Sequence, residues 1–341
     1  EVKEDNIQIL YNPNKIEIER QPEHITIEDI PKFFISDKNA LNYFHENGFV
    51  IFKEVATNDE INYSIDLFWK FVEENTEMKR NDVSTWTDSN FRRIGSPQTG
   101  ILAGSGFGQS DFLWSLRIIP NVSLAFNLLY DKQPNDQLIT SFDGGAMFRP
   151  WHHPDLISNC TQSGWFHVDQ GRTLRGLQCI QGMLTLTDVD ERTGGLCLIP
   201  KSHLYHDELV NSIYREGNYI PIPAKFHVLN HPQILPRCSK GDMICWDSRL
   251  IHCSTPAIIP PIENTLPISE PLRLAGYISM TPREWSTDDI INHRIQAYCR
   301  NITTSHWSHI LTYTIPTNEI SYPIKRNIEN ADERIRKLIG L

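Results

Sequence analysis

Several features of membrane, secreted and nucleic-acid-binding proteins are missing from this 341-residue sequence. No apolar run approaches the roughly 18 residues of a membrane-spanning helix, so we expect no membrane span. The formal net charge is −10, whereas nucleic-acid binding usually needs a basic surface, so we expect no nucleic-acid partner. The seven cysteines are odd in number and form no CxxC pair. This pattern predicts a reduced, intracellular and cytoplasmic protein rather than a disulfide scaffold.

The N-terminal segment EVKEDNIQIL has neither a basic start nor an apolar core, so it does not resemble a signal peptide. Because the sequence does not begin with Met, the earlier removal of a targeting segment remains an open question. Oligomeric state has no signature in the sequence.

Short runs rich in β-formers, separated by Gly, Pro, Asn and Asp, fill the middle of the chain and predict an antiparallel sandwich or barrel. Helical patterns flank this region. One is a capping box at Thr57–Glu60 followed by apolar residues at helical spacing. We therefore predict a mainly β fold with flanking helices, in a single elaborated domain over 1–341. Its parts are an N-terminal lead-in and helical support (1–135), a catalytic β core (136–285) and a C-terminal helical segment (286–341).

The segment GWFHVDQ places His167 and Asp169 two residues apart. On an extended strand, alternate residues share a face, so both side chains can approach one ion. A third ligand must come from elsewhere in the chain, and His252 is the best candidate. Two histidines and one carboxylate that leave coordination positions open are the ligand set of non-haem Fe(II) oxygenases. An HxD pair alone is weak evidence, since such pairs also arise by chance.

The order of four motifs, the first of which contains the HxD pair, carries more weight than that pair alone. They are GWFHVDQ, GLQCIQGMLTLTDVDERTGGLCLIPKSH (176–203), GDMICWDSRLIHCS (241–254) and PLRLAGYISMTPR (271–283). In this order they resemble the phytanoyl-CoA dioxygenase family over about residues 40–285. The resemblance implies a double-stranded β-helix, which is a cupin-like jelly-roll barrel with the metal at its open mouth. It also implies Fe(II) as the metal, 2-oxoglutarate as cosubstrate, and O2.

The resemblance also implies roles for individual residues. His167, Asp169 and His252 match the catalytic iron ligands, and Arg273 matches the arginine that binds the distal carboxylate of 2-oxoglutarate. Ser254 matches a hydroxyl that helps to hold this carboxylate, and Gln181 is a further candidate contact for the cosubstrate. The connection between His252 and Arg273 is longer than in the family, and AIIPPIENTLPISEP (257–271) predicts an inserted Pro-rich loop there.

The predicted activity is that of a 2-oxoglutarate-dependent non-haem iron dioxygenase. It would hydroxylate or otherwise oxidise a C–H bond of a small molecule and release succinate and CO2. Halogenating relatives have Gly or Ala at the carboxylate position, so the presence of Asp169 favours oxidation of C–H bonds over halogenation. Two alternatives remain open on the residues alone. One is a zinc-dependent hydrolase with the same ligands, and the other is a non-catalytic ligand-binding barrel. The sequence does not identify the substrate.

Overall fold

Short strands separated by turns form the framework of the computed structural model, which describes residues 25–150, 161–258, 270–310 and 325–341. The strands are β1 (Ile25–Glu28), β2 (Lys32–Phe33), β3 (Phe49–Phe52), β4 (Ile101–Leu102), β5 (Leu138–Thr140), β6 (Gly145–Phe148), β7 (His167–Val168), β8 (Ile180–Thr185), β9 (Gly195–Leu198), β10 (Ile220–Pro221), β11 (Gln233–Pro236), β12 (Met243–Asp247), β13 (His252–Thr255) and β14 (Arg273–Pro282). The helices are α1 (Asn39–Asn47), α2 (Asn58–Asn75), α3 (Asp88–Phe91), α4 (Asp111–Arg117), α5 (Pro120–Leu129), α6 (His206–Ser212), α7 (Asp288–Cys299) and α8 (Glu333–Ile339).

Within the described ranges, the strands form two sheets. The smaller sheet has the order β1-β11-β9-β13-β7-β10, and the larger has the order β2-β3-β12-β8-β14-β6-β4, with β5 also paired to β14. From β6 to β9 and again from β11 to β14, consecutive strands alternate between the sheets. This alternation is the pattern of a jelly roll, in which two Greek keys fold into facing sheets. The predicted mainly β, jelly-roll fold with flanking helices is therefore confirmed.

Strand parity decides which side chains of the larger sheet face the smaller one. Met183, Ile244 and Trp246 pack in one apolar cluster with Leu198 and Ile234 of the smaller sheet. Their neighbours along β8 and β12 pack instead against helices α2, α4 and α5 on the other side. Because side chains alternate along a strand, residues with the parity of Met183 on β8 face the space between the sheets. That space contains the candidate site.

The helical prediction around residue 57 is confirmed in detail. Thr57 caps α2, its hydroxyl accepts the Glu60 backbone N–H, and the Glu60 carboxylate accepts the Thr57 N–H. Gly48 ends α1 in the left-handed conformation with φ 79°, which directs the chain into β3. A side chain at this position would also collide with His203, because an added Cβ would lie 2.4 Å from its Nδ1. The turn thus requires glycine for two separate reasons.

The sheets extend beyond the 136–285 segment, since β1 to β4 lie before residue 136 and add to both sheets. Beyond residue 285, α7 and α8 are joined to the barrel by Arg294. This buried guanidinium donates to the carbonyls of Thr140, Ser308, Leu338 and Ile339. The lead-in up to residue 24 and most of the predicted Pro-rich loop (259–269) lie outside the described residues.

None of the helices in the described part of the chain has, by itself, the length and apolar composition to cross a bilayer. The successive helices α4 and α5 meet these criteria only as a pair, with a bend of 58° between them.

Candidate active site

The two candidate histidine ligands are brought together by strand pairing. Strands β7 and β13 are antiparallel neighbours in the smaller sheet, and His167 lies directly opposite His252. Their ring centroids are 4.3 Å apart. Asp169 follows β7, and its position is fixed because its backbone N–H donates to the Ser248 carbonyl at 2.9 Å. One pair of strands thus brings together His167 and His252, which are more than 80 residues apart in the sequence.

His167, Asp169 and His252 offer three ligand atoms that all lie within 4.8 Å of one another. The Asp169 Oδ2 atom is 3.5 Å from Nε2 of His167 and 3.3 Å from Nε2 of His252. Both histidines are buried, whereas Asp169 is partly accessible from the cavity. Two imidazole nitrogens and a carboxylate oxygen at this spacing fit a single divalent ion with two-histidine, one-carboxylate ligation.

Backbone carbonyls set the orientation of both imidazoles. The Nδ1 atom of His167 lies 3.2 Å from the Trp165 carbonyl oxygen, and the Nδ1 atom of His252 lies 2.9 Å from that of Leu250. A carbonyl can only accept, so each Nδ1 carries the proton and each Nε2 presents its lone pair to the centre of the cluster. This is the arrangement by which outer hydrogen bonds fix the tautomer of metal-binding histidines. Trp165 also stacks on His167, with centroids 5.0 Å apart and planes at 7°.

The protonation states also suit metal binding. Burial by itself raises the pKa of the Asp169 carboxyl, but the neighbouring imidazoles of His167, His306 and His252 hold that pKa well below its usual range. Burial, together with the neighbouring His167, lowers the pKa of His252. The carboxylate is therefore ionised and the His252 imidazole is neutral, and these are the forms that bind a metal ion.

Gln181 supports Asp169 from the larger sheet. Its Nε2 donates to Asp169 Oδ2 at 2.9 Å, and the parity of β8 directs its side chain between the sheets. The residue predicted as a possible contact for the cosubstrate is thus placed against a candidate metal ligand. Gln178, three residues earlier, instead donates to the backbone carbonyl of Arg175.

Arg273 lies at the start of β14 and is fully buried. Its guanidinium stacks on the Phe148 ring at 4.7 Å, and Nη2 contacts the Met183 sulfur. The Nε and Nη1 atoms have no hydrogen-bond partner in the described part of the chain. Burial lowers the pKa of Arg273, while the Tyr277 phenol acts in the opposite direction. A buried guanidinium without an anion is costly, so this environment is suited to a carboxylate ligand.

Tyr277 connects Arg273 to the metal-ligand cluster. It follows Arg273 on the same face of β14, and its phenol interacts with both the guanidinium and the Ser254 hydroxyl. Ser254 and Tyr277 line one cavity of about 160 Å³ together with His167, Asp169 and His252. The candidate ligands and the residues that lead to Arg273 therefore share one space between the sheets.

Several residues of the cavity wall were not predicted from the sequence. His306 and Trp307 come from the segment after α7, and Asn218 and Tyr219 precede β10. Tyr219 lies against His167 with ring centroids 4.7 Å apart. The run SHWSH (305–309) is unusually rich in His and Trp and is the only local signal that singles out any of these residues.

Changing Gln181 to leucine should weaken metal binding by about 10- to 100-fold, which is typical when an outer hydrogen bond to a metal ligand is lost. The change removes the donor that orients Asp169 but leaves the three ligands in place. Titration of the metal-free protein with Fe(II) under anaerobic conditions measures the effect. The matched control is Gln178→Leu, which should bind Fe(II) like the unmodified protein. Equal Fe(II) affinities for Gln181→Leu and the unmodified protein would rule out this positioning role.

The sequence also matches a known protein family. The family model for phytanoyl-CoA dioxygenase (PhyH) matches residues 44–257, more than half of the chain. The chain belongs to the phytanoyl-CoA dioxygenase family. It is accordingly a non-haem oxygenase that depends on Fe(II) and 2-oxoglutarate, and the alternatives of a zinc hydrolase and a non-catalytic barrel find no support.

One related protein and one solved structure are similar to most of this chain. The Ava biosynthesis cluster protein O of Aspergillus versicolor is 24% identical over 310 residues, which cover 84% of this chain and 91% of that protein. The crystal structure of SnoK, a non-heme alpha-ketoglutarate-dependent carbocyclase from nogalamycin biosynthesis, is similar with a TM-score of 0.50. It is 16% identical and covers 74% of this chain and 88% of that protein. At this identity the SnoK structure supports the jelly-roll fold alone.

Proposed function

We propose that this dioxygenase holds Fe(II) with His167, Asp169 and His252, binds the distal carboxylate of 2-oxoglutarate with Arg273, and hydroxylates a C–H bond of a small molecule. Two structural features together support the proposal. A cluster of three ligand atoms within 4.8 Å lies between the sheets, and the same interior holds a buried guanidinium whose Nε and Nη1 lack partners. A zinc hydrolase has no need for that guanidinium.

Each residue of the site would have a separate role. When bound, the metal supplies the activation of O2 and the oxidation of 2-oxoglutarate to succinate and CO2. Arg273 would form two parallel, charge-assisted bonds with a planar carboxylate, which fixes both position and orientation. Ser254 and Tyr277 supply hydroxyl groups beside it. Gln181 keeps Asp169 oriented, so that the ligand set does not rearrange during turnover.

The aromatic walls would protect the site from water. Trp165 and Tyr219 cover His167 on two sides, and Trp246 lies against His252 with ring centroids 5.3 Å apart. Exclusion of water strengthens the electrostatic contacts within the site and limits side reactions. Asp169 occupies the carboxylate position that is Gly or Ala in halogenating relatives, which supports hydroxylation.

We also place this enzyme inside the cell, most simply in the cytoplasm. The six described cysteines are all free and buried, which supports a reducing compartment. The seventh, Cys160, lies outside the described residues.

Succinate formation tests the proposed function. Protein supplied with Fe(II), 2-oxoglutarate and O2 should form succinate, and a metabolite extract that contains the substrate should accelerate it. Protein loaded with Zn(II) in place of Fe(II) is the control and should form none. Iron-loaded protein that forms no succinate above the zinc control, with or without the extract, would contradict the proposal.

A further inference from the structure

One part of the cavity wall lies apart from the residues proposed to bind iron and 2-oxoglutarate. It contains the Asp143 carboxylate, from the turn before β6, and the His306 imidazole, from the segment after α7. Trp307, next to His306, completes this part of the wall. We refer to Asp143, His306 and Trp307 as the polar wall.

The polar wall has unused hydrogen-bonding capacity. Asp143 Oδ1 accepts the Gly144 backbone N–H at 2.7 Å, whereas Oδ2 has no hydrogen-bond partner within the described ranges. The buried Nε2 of His306 and the buried Nε1 of Trp307 likewise have none in that part of the chain. Buried polar atoms are nearly always paired, so these two unpaired nitrogens, beside the Asp143 carboxylate on the same cavity wall, indicate a place for ligand atoms.

The Asp143 carboxylate forms no salt bridge within the described part of the chain. Arg117 uses Nη2 to bind the backbone carbonyl of Asp143 at 2.8 Å and Nη1 to bind that of Gly108, so these bonds leave the carboxylate unpaired. Burial raises the pKa of Asp143, and the charges of His306 and Arg117 offset this only in part. A carboxylate in this position would gain from a cationic partner.

The rest of the cavity favours a cation over an anion. Its described lining includes no lysine or arginine, and its two carboxylates are Asp143 and Asp169. Five Trp and Tyr rings line the space, and aromatic faces attract cations and apolar groups. They are Trp165, Tyr219, Trp246, Tyr277 and Trp307.

We propose that the polar wall recognises a basic nitrogen on the substrate, with Asp143 as the anchor for an ammonium group and the aromatic rings packed on an apolar or aromatic carbon skeleton. The substrate class is therefore an amine-bearing, largely apolar small molecule rather than an anionic thioester. His306 and Trp307 supply further hydrogen bonds to polar atoms beside the nitrogen. This inference rests on the proposed function, because it concerns the substrate of the same site.

Three probes with the same ring and chain length but different charge test the inference. They are phenethylamine, phenethyl alcohol and hydrocinnamate, which present a cation, a neutral hydroxyl and an anion. Their binding is measured by calorimetry to protein loaded with Fe(II) and saturating 2-oxoglutarate without O2, so that no turnover occurs. We expect the amine to bind at least tenfold more tightly than hydrocinnamate, since a charge-assisted bond corresponds to roughly ten- to hundredfold in affinity.

Two variants separate the anchor from a general effect of charge. Asp143→Asn keeps the Oδ1 acceptor for Gly144 and should abolish the tenfold preference for the amine, with affinity for the alcohol changed less than about threefold. Asp207→Asn removes the same charge from an exposed site on α6 and should keep the preference. An amine that binds no better than hydrocinnamate, or a preference that persists in Asp143→Asn, would overturn the inference.

The same samples report on the proposed function independently. Binding of 2-oxoglutarate to the Fe(II) protein produces a visible charge-transfer absorption, which does not depend on the polar wall. If this absorption is present while the amine preference is absent, the substrate inference alone fails. If the absorption is absent, the proposed function fails with it.

Discussion

Replacing His167 or Asp169 with alanine will abolish succinate formation, with a loss of at least about 1000-fold. Loss of an outer hydrogen bond to a metal ligand already costs about 10- to 100-fold in metal affinity, and loss of a ligand costs more. The protein should nevertheless fold. His167→Ala removes one hydrogen bond to the Trp165 carbonyl and the ring contacts with Trp165, Tyr219 and His252, and this loss should lower the free energy of unfolding by about 1–3 kcal/mol. Asp169→Ala removes a partly accessible carboxylate and its hydrogen bond from Gln181, at a similar cost in stability.

The measurement is succinate formation alongside circular dichroism and thermal unfolding of the same samples. His227→Ala is the matched control, because His227 is exposed and pairs with Glu208 on the protein surface. This variant should keep full activity. Normal turnover by either His167→Ala or Asp169→Ala would show that the metal is held elsewhere.

The second large effect concerns the cosubstrate. Arg273→Ala should weaken 2-oxoglutarate binding by about 10² to 10⁴-fold, because two charge-assisted bonds of about 1.5–3 kcal/mol each are lost. At saturating 2-oxoglutarate the maximal rate should fall much less, since the metal ligands are untouched. Stability without 2-oxoglutarate should not decrease greatly, because the buried guanidinium has unpartnered Nε and Nη1 atoms. The apparent affinity follows from anaerobic titration and from the dependence of succinate formation on 2-oxoglutarate concentration.

Two further variants control for charge. Arg273→Lys keeps the positive charge but loses the planar pair of donors, so its affinity should lie between those of the unmodified protein and Arg273→Ala. Arg237→Ala removes an exposed arginine that pairs with Asp29 and Glu191, and should leave 2-oxoglutarate binding unchanged. An unchanged affinity in Arg273→Ala would place the carboxylate anchor at another residue.

Much of the site could be predicted because strand parity is visible in the sequence. Residues 273, 275, 277 and 279 alternate with apolar residues. The structure directs Tyr277 into the cavity and Arg273 against Met183 between the sheets, while Leu274 and Ile278 pack on helices. The same rule directs Gln181 of β8 to Asp169, whereas Gln178 lies before the strand and bonds the Arg175 carbonyl. Local patterns therefore sufficed for residues that lie on strands.

The polar wall could not be predicted in this way. His306 belongs to an irregular segment whose position depends on distant contacts, including the bond from Arg294 to the Ser308 carbonyl. Strands β1 and β4 were also not predicted from the sequence. Strand β1 is defined by its pairing with β11, and β4 by its pairing with β6, rather than by local patterns. In both cases the deciding interactions join residues far apart in the chain.

We propose that Fe(II) and 2-oxoglutarate meet between the sheets, at the His167–Asp169–His252 cluster and Arg273. An anaerobic titration of the Fe(II)-loaded protein with 2-oxoglutarate, followed by visible absorption, tests this arrangement most directly. We expect a charge-transfer band that saturates at one 2-oxoglutarate per protein, is absent in Asp169→Ala, and requires far more 2-oxoglutarate in Arg273→Ala. Iron-loaded protein that shows no such band at any 2-oxoglutarate concentration would contradict this arrangement.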